Sequence, residues 1–157
     1  MPPAAFVSTP PTRRTRRVFL RLASATAGAI VTQGCSLGSS ASPAAIGDLP
    51  AGTVASLPVG SLQAVGSNPA CVGRDAGGVY AMTLTCTHQG CNMALQGSVS
   101  AQGIVCSCHG SRFDPNGNPT AGPAGAPLVH YAVSEDGAGN LTIHGETEVG
   151  AGVRLMV

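Results

Sequence analysis

Two short segments of this chain carry cysteine and histidine at spacings suited to metal binding. Residues 86–91 read Cys-Thr-His-Gln-Gly-Cys, and residues 106–114 read Cys-Ser-Cys-His-Gly-Ser-Arg-Phe-Asp. Each segment offers one thiolate and one imidazole, either from an extended loop tip or across a tight turn, and Gly90 and Gly110 permit the positive φ angles of such turns. The segments therefore predict a site with two cysteine and two histidine ligands. The candidate ligands are Cys86, His88, Cys106 and His109.

Zinc is the first metal to consider for two cysteines and two histidines, because it accepts tetrahedral nitrogen and sulfur ligation. Three observations count against a structural zinc-binding module. The spacings do not match a zinc finger, each segment holds one ligand of each type, and two further cysteines, Cys91 and Cys108, lie beside the candidate ligands. Zinc stays open as an alternative, and it would leave the protein colourless.

The two segments resemble the cluster-binding boxes of the Rieske iron-sulfur proteins, in which two cysteines bind one iron and two histidines bind the other iron of a 2Fe-2S cluster. The resemblance implies one Rieske-type cluster per chain, with Cys86 and Cys106 as thiolate ligands and His88 and His109 as imidazole ligands. It also implies an electron-transfer function. The fold that it implies is all-β, a small antiparallel β-sandwich with a cluster-binding subdomain of two loops.

The resemblance extends to Cys91 and Cys108. They match a pair that forms a disulfide between the cluster loops in one branch of the family, which includes the cytochrome bc-type subunits and the small subunit of arsenite oxidase. Oxygenase-associated Rieske ferredoxins lack this pair. A disulfide fits a compartment outside the cytoplasm, where such bridges persist. The alternative is two unpaired cysteines that pack as small apolar residues under the cluster.

Three neighbouring positions bear on the redox potential that the resemblance implies. Ser111 matches a serine whose hydroxyl donates to a bridging sulfide, so it is a further cofactor-binding residue. Phe113 stands where the high-potential, quinol-oxidising members carry a tyrosine, and Gln89 stands where they usually carry leucine. These departures predict a potential below that of the high-potential members. Residues 122–128 resemble the family's proline loop, which covers the cluster on a third side, with Gly125 at its second proline position.

The remaining histidines and one cysteine lie outside the two segments. His130 and His144 fall in strand-like runs, so we expect structural or surface roles for them and not metal ligation. Cys71 has no role in the family. It is either a buried strand thiol or a partner for Cys35, provided that Cys35 is not lipidated.

The start of the chain has the features of an export signal. Five of the eight arginines fall within 13–21, and residues 15–21 read Thr-Arg-Arg-Val-Phe-Leu-Arg. This resembles a bacterial twin-arginine signal, and the alternative is an ordinary secretory leader with a basic start. The apolar run that follows Arg21 is short and rich in Ala, Ser, Thr and Gly, which disfavours a transmembrane helix. A twin-arginine route suits a protein that must fold and take up a cluster before export.

Residues 1–35 therefore form the predicted signal or anchor segment. Cys35 is a candidate for lipidation, which would anchor the chain to the membrane; otherwise the leader is retained as an anchor or is cut after residue 41. In each case the rest of the chain would lie on the periplasmic side, at the outer face of the cytoplasmic membrane. Residues 36–52 read as a flexible tether, because they are rich in Ser, Ala, Gly and Pro.

Residues 53–157 form the predicted iron-sulfur domain. Short β-type runs alternate there with turn residues, as in small sandwiches and barrels, and 22 glycines with 12 prolines exclude coiled coils and helical bundles. The predicted strands are 53–57, 61–65, 70–72, 79–84, 103–106, 128–133 and 141–144. With few aromatic residues for the core, such a domain is expected to need a metal or covalent staple.

Charge and residue content limit the function. Past residue 35 there are three basic and seven acidic residues, a net charge of −4, so the domain lacks the basic surface of a nucleic-acid-binding protein and favours basic partner surfaces. No nucleophile or acid-base pair indicates a self-contained enzyme.

The sequence therefore predicts an electron-transfer protein or an oxidoreductase subunit, either an exported carrier or the iron-sulfur subunit of a quinol-oxidising cytochrome bc-type complex. The expected partners are a cytochrome, an oxidoreductase catalytic subunit or a quinol. The membrane would be reached through the leader or a lipid.

Overall fold

The structure is a computed structural model that describes residues 46–157. In this range the chain forms strands and turns with a single short 3-10 helix, and no helix is long and apolar enough to cross a membrane. The all-β prediction is confirmed. The elements are β1 Asp48–Thr53, η1 Val54–Ser56, β2 Ser61–Ala64, β3 Ala70–Asp75, β4 Gly78–Thr83, β5 Gly97–Ser100, β6 Gly103–Cys106, β7 Arg112–Phe113, β8 Pro119–Ala121, β9 His130–Glu135 and β10 Asn140–Val149.

The strands form two antiparallel sheets. The large sheet has six strands in the order β1-β10-β9-β4-β3-β2, and the small sheet has four in the order β5-β6-β7-β8. All four strands of the small sheet come between β4 and β9 in the sequence, although β4 and β9 are hydrogen-bonded neighbours. The small sheet and its loops are thus one insertion into the large sheet, and this insertion carries both cysteine-histidine segments.

The central strand β4 is buried along its whole length. Its side chains alternate between two core clusters, as the two-residue period of a strand requires. Tyr80 and Met82 point into the cluster that also contains both candidate ligand cysteines, whereas Val79 and Ala81 point into a second cluster with strands β9 and β10. Strand β4 therefore separates a structural core from a core built around the candidate site.

The beginning of the domain differs from the prediction. Residues 48–52, expected in the tether, belong to β1, which pairs with β10 at the edge of the large sheet. The strand predicted at 53–57 is wrong, because η1 occupies 54–56. The cause is local: the Ser56 amide donates to Thr53 Oγ1 (3.2 Å) and the Thr53 amide donates to Ser56 Oγ (3.1 Å), a capping box that favours a helical turn.

Besides β1, three strands were not predicted, and these three belong to the small sheet. β5 and β8 consist mainly of Ser, Gly, Thr and Ala, and β7 has two residues, so none of them shows an apolar alternation. The other predicted strands are confirmed, but β3 and β10 extend three and five residues beyond their predicted ends. The predicted signal or anchor segment 1–35, with Cys35, and the first part of the tether lie outside the described residues.

Gly73 allows β3 and β4 to pack closely, and its replacement tests this core. Gly73 pairs directly with Tyr80, and a methyl group at Gly73 would overlap the end of the Tyr80 ring. That ring cannot easily move, because its hydroxyl donates to Pro115 O (2.9 Å) and the Arg154 guanidinium lies 4.2 Å from its centroid. Gly73→Ala should lower the free energy of unfolding by roughly 1–3 kcal/mol in chemical denaturation followed by circular dichroism.

Gly150→Ala is the matched control, because a methyl group at Gly150 meets no atom within 4 Å. Its free energy of unfolding should remain close to that of the wild type. Equal stability of the two variants would contradict the packing assigned to Gly73.

Candidate functional site

The first loop of the site, residues 86–91, follows the end of β4. The Cys86 amide donates to Cys91 O (2.9 Å), and the Gly90 amide donates back to Cys86 O (2.8 Å). Gly90 has φ +74°, a backbone conformation that residues with a Cβ rarely adopt. Both backbone polar groups of Cys86 are therefore used to close the loop, which fixes the direction of its thiol.

The second loop, residues 106–111, connects β6 to β7 and closes in the same way. The Cys106 amide donates to Ser111 O (2.8 Å), and the Gly110 amide donates to Cys106 O (3.0 Å), with φ +79° at Gly110. The two loops thus share one hydrogen-bond pattern, in which the first cysteine pairs with the residues four and five positions later. Only the histidine position differs, since it is the third residue of the first loop and the fourth of the second.

The two candidate ligand thiols lie in the core. Cys86 is 3% exposed and Cys106 is 1% exposed, neither forms a disulfide, and both belong to the core cluster that contains Phe113. Burial raises the pKa of the Cys106 thiol, and the adjacent Cys86 thiol raises it further. Backbone hydrogen bonds from Cys108 and His109 act in the opposite direction but do not cancel this rise. A buried thiolate pair is costly without a neighbouring cation, so this position suits thiols that bind a metal.

The two candidate ligand imidazoles lie on the more exposed side of the site. The rings of His88 and His109 are 4.8 Å apart between centroids and nearly perpendicular. His109 is exposed, whereas His88 is partly buried. The Nδ1 atom of His88 is buried and has no hydrogen-bond partner, although buried polar atoms normally have one. A metal ion bound at this nitrogen would satisfy it.

The donors form two pairs and do not surround a single point. Within residues 46–157, the group of three potential donors found within 4.8 Å of one another consists of Cys91, Cys106 and Cys108, and two of these are joined to each other. One thiol pair and one imidazole pair fit a centre with two metal ions, one bound by sulfur and one by nitrogen. The residues present therefore fit a Rieske-type 2Fe-2S cluster.

A disulfide joins Cys91 in the first loop to Cys108 in the second, with their Cα atoms 6.8 Å apart. The predicted pair is confirmed, and the alternative of two unpaired cysteines is wrong. Both sulfurs lie within 4.8 Å of Cys106 Sγ. The bridge therefore ties the loops together directly beside a candidate ligand, which limits how far the ligands of one loop can separate from those of the other.

A third loop, residues 122–128, contacts both of the others. Thr87 Oγ1 of the first loop donates to Ala126 O (2.7 Å) of the third loop. The Ala124 amide of the third loop donates to Ser111 Oγ (3.2 Å) of the second loop. Gly122 lies so close to the backbone of residues 110–111 that a Cβ there would clash. Ser111 is fully buried, and because its oxygen accepts from Ala124, its hydroxyl hydrogen remains available to donate into the site.

Sequence reasoning did not find the roles of Thr87, Ala124 and Gly122. Two of these contacts use backbone atoms of Ala124 and Ala126, which carry no signal in a sequence. Gly122, which precedes a proline, could have indicated a close backbone approach. The sequence does not show that the approach is to Gly110 and Ser111 in the second loop. The predicted ligands are local in sequence, and the structure brings Cys86 beside Cys106 and His88 beside His109.

The other histidines are engaged outside the two loops. His130 is 3% exposed with Nε2 3.0 Å from Asn116 O, and burial lowers its pKa. His144 lies between Asp48 Oδ1 (3.0 Å) and Ser134 Oγ (2.8 Å) at the β1-β10-β9 edge.

Cys71 is a buried thiol of β3, and burial raises its pKa to about 12. This is the first of the two roles considered for it. The other role, a bridge to Cys35, involves a residue outside the described range.

Comparison with known proteins places this geometry in a family. The sequence profile of the Rieske [2Fe-2S] domain matches residues 45–132. The carotenoid phi-ring synthase of Chlorobaculum tepidum is 35% identical over 103 residues, which are 60% of this chain and 15% of that protein. The cytochrome b6-f complex iron-sulfur subunit of a Cyanothece species is 39% identical over 61 residues, 38% of this chain and 33% of the subunit. The chain thus spans a third or less of these relatives.

Two solved structures are similar. The plasma membrane Rieske protein of the cyanobacterium Synechocystis PCC 6803 is 31% identical with a TM-score of 0.47, covering 60% of this chain and 97% of that one. The ferredoxin of carbazole 1,9a-dioxygenase from Nocardioides aromaticivorans is 29% identical with a TM-score of 0.44, covering 63% and 98%. The matched profile spans more than half of the chain and includes both loops. This chain belongs to the Rieske family of 2Fe-2S electron-transfer domains.

Proposed function

We propose that this protein carries single electrons on the outer face of a bacterial membrane, as an exported carrier or as a subunit of a redox complex. The observation that carries the proposal is the pairing of two buried thiols with two imidazoles, one of them exposed, behind a leader that contains the Arg16-Arg17 pair. When bound, the 2Fe-2S cluster supplies reversible one-electron redox chemistry. The arginine pair of the leader supports export.

The residues of the chain divide the work between holding the cluster and presenting it. Cys86 and Cys106 would hold it from the core side, where Leu84 and Phe113 exclude water. His88 and His109 would hold it from the other side. His109 is the ligand that a partner can touch, because its ring is exposed while the thiols are buried. Contact at an exposed ligand shortens the distance between the electron donor and the electron acceptor.

A second candidate is the iron-sulfur subunit of a quinol-oxidising cytochrome complex. The disulfide between the loops and the similarity to cytochrome b6-f subunits favour it. Phe113 and Gln89, which replace the usual tyrosine and leucine of such subunits, favour the carrier. Co-purification of the tagged chain with a membrane cytochrome b from its native host would support the subunit, and purification without one would support the carrier.

The assignment of ligands can be tested with two cysteines that share one core cluster. Cys106→Ser should lose the bound iron, the visible absorption and the electron paramagnetic resonance signal of the reduced Rieske centre, because a serine hydroxyl does not replace a thiolate ligand. Cys71→Ser is the matched control, since Cys71 is equally buried in that cluster. It should keep the iron. Equal iron loss in both variants, or zinc without iron in the wild type, would contradict the assignment.

The role of the residues near the cluster can be tested by voltammetry. Phe113→Tyr should raise the midpoint potential and Ser111→Ala should lower it, because a donated hydrogen bond stabilises the more negative reduced centre. A hydrogen bond that is stronger by about 1.4 kcal/mol in the reduced state than in the oxidised state raises the midpoint potential of a one-electron couple by about 60 mV. Tyr131→Phe, in the second core cluster, should leave the potential unchanged. A midpoint that stays the same or falls in Phe113→Tyr would refute this role.

Export can be tested by conservative changes within the leader. The double variant Arg16→Lys with Arg17→Lys should remain in the cytoplasm, because the twin-arginine route depends on the arginine pair and not on charge alone. The double variant Arg13→Lys with Arg14→Lys keeps the same charge and should be exported normally. Immunoblots of fractionated bacterial cells give the distribution. Normal export of the first variant, or equal retention of both, would rule out this route.

A further inference from the structure

The charges of the domain are segregated between its two sheets. Residues 84–129, which contain the small sheet and all three loops, carry one basic residue, Arg112, and one acidic residue, Asp114. Most of the acidic residues lie instead on strands β1, β9 and β10 or in the turn between the last two. These residues are Asp48, Glu135, Asp136, Glu146 and Glu148. The net charge of the domain therefore does not describe the part that holds the site.

Of the three arginines in the described range, two have partners. Arg154 Nε donates to Asp75 Oδ2 (2.8 Å). Arg74 donates to the carbonyl oxygens of Val54 and Leu57, both at 3.4 Å. Their guanidinium groups are therefore used in contacts within the domain.

Arg112 is the exception. It is exposed, and it makes no side-chain hydrogen bond or ion pair with any residue of 46–157. Asp114 lies two residues further along, but both of its carboxylate oxygens accept hydrogen bonds from Asn116 or Asn118 at 2.8–2.9 Å. Within residues 46–157, Arg112 is therefore an exposed cation without an ion pair, and Asp114 keeps its own charge without pairing with it. Arg112 begins the strand that directly follows the second loop.

The surroundings of Arg112 suit an anionic group. Arg112 borders a cavity of about 230 Å³ whose polar lining comes from Ser100, Gln102 and Thr120, with no acidic side chain. Its neighbours across the sheet, Val105 and Ala121, are small and leave the guanidinium accessible. Hydroxyl and amide donors beside a free guanidinium can bind a carboxylate through several hydrogen bonds.

This face is also close to the redox site along the backbone. Arg112 directly follows Ser111, the last residue of the second loop, and its strand partner Val105 directly precedes Cys106. A partner held at Arg112 would therefore lie beside the loop that carries His109. Together these observations place an unpaired cation next to the site and most of the acidic residues elsewhere.

We propose that the outer face of the small sheet around Arg112 docks a carboxylate-rich surface of an acidic redox partner protein. The inference rests on the proposed electron-transfer function. Arg112 attracts the partner's carboxylates at the small sheet, while the acidic strands β1, β9 and β10 repel the same partner from the large sheet. The partner is thereby turned toward the loops.

The first test uses two small oxidants of opposite charge on the reduced full-length holoprotein. Stopped-flow absorbance follows oxidation by hexacyanoferrate(III), a trivalent anion, and by tris(phenanthroline)cobalt(III), a trivalent cation. Arg112→Gln should slow oxidation by the anion and speed oxidation by the cation. Each rate should change by roughly twofold at 0.1 M salt and by more at 0.01 M, if the oxidant approaches within about 10 Å of residue 112. Glu146→Gln should change neither rate in this way. Rates that are insensitive to Arg112 overturn the proposal.

The second test does not depend on electron transfer. The chain contains no lysine, so Arg112→Lys creates one side-chain amine that a carbodiimide can couple to an acetylated hexaglutamate amide. Thr147→Lys, exposed between two glutamates, is the control. Mass spectrometry should find several-fold more peptide at position 112. Equal coupling at both positions, or coupling abolished by phosphate but not by chloride at equal ionic strength, overturns the protein-docking proposal.

The two failures are distinguishable. Absence of the reduced-state paramagnetic resonance signal from wild-type protein would refute the electron-transfer function, and the peptide-coupling result would still report on the Arg112 surface. A normal signal with equal coupling would refute the docking surface alone.

Discussion

The structure depends on the burial of two thiols that must be ionised to bind metal. Cys86 and Cys106 lie within the core, where burial raises the pKa of Cys106, so a thiolate is unfavourable until a cation neutralises it. Cys71, in the same cluster, shows the other outcome: with a pKa of about 12 and no metal role, it remains an ordinary buried thiol. Packing of this core and uptake of the cluster are therefore coupled, as in other small metal-binding domains.

Around these thiols, the chain uses short backbone closures and one covalent bond in place of a large apolar core. The two loops repeat one hydrogen-bond pattern around Cys86 and Cys106, and each needs a glycine with positive φ. The disulfide fixes the loops to each other, and the third loop bonds to both of them through Thr87 and Ser111. The backbone closures within each loop join residues four and five positions apart, so they order the ligands with little loss of chain entropy. The disulfide, with a sequence separation of 17, and the contacts of the third loop then hold the ordered loops together.

This locality explains what could be predicted from the sequence. The ligand segments were recognisable because their chemistry lies within six residues each, and β4 was recognisable because its apolar run is continuous. Strands β5 and β8 were not, because their small residues become strands through pairing with β6 and β7 and not through their own pattern. Strand β7 has only two residues, too few to show a pattern. Strand β1 was hidden for the same reason as β5 and β8, since Asp48 and its neighbours are ordered by β10, nearly a hundred residues later.

Charge shows the same difference between composition and placement. A net charge of −4 past residue 35 favours a basic partner, if the charge is taken as evenly spread. In residues 46–157, most of the acidic residues lie on strands β1, β9 and β10 or in the turn between β9 and β10, and the loops are almost uncharged, with Arg112 as an unpaired cation beside them. A partner that approaches the loops meets the local field, because the potential of the distant acidic residues is screened over about 8–10 Å at physiological salt. The sign of the partner's surface is therefore set by the small sheet and not by the net charge of the domain.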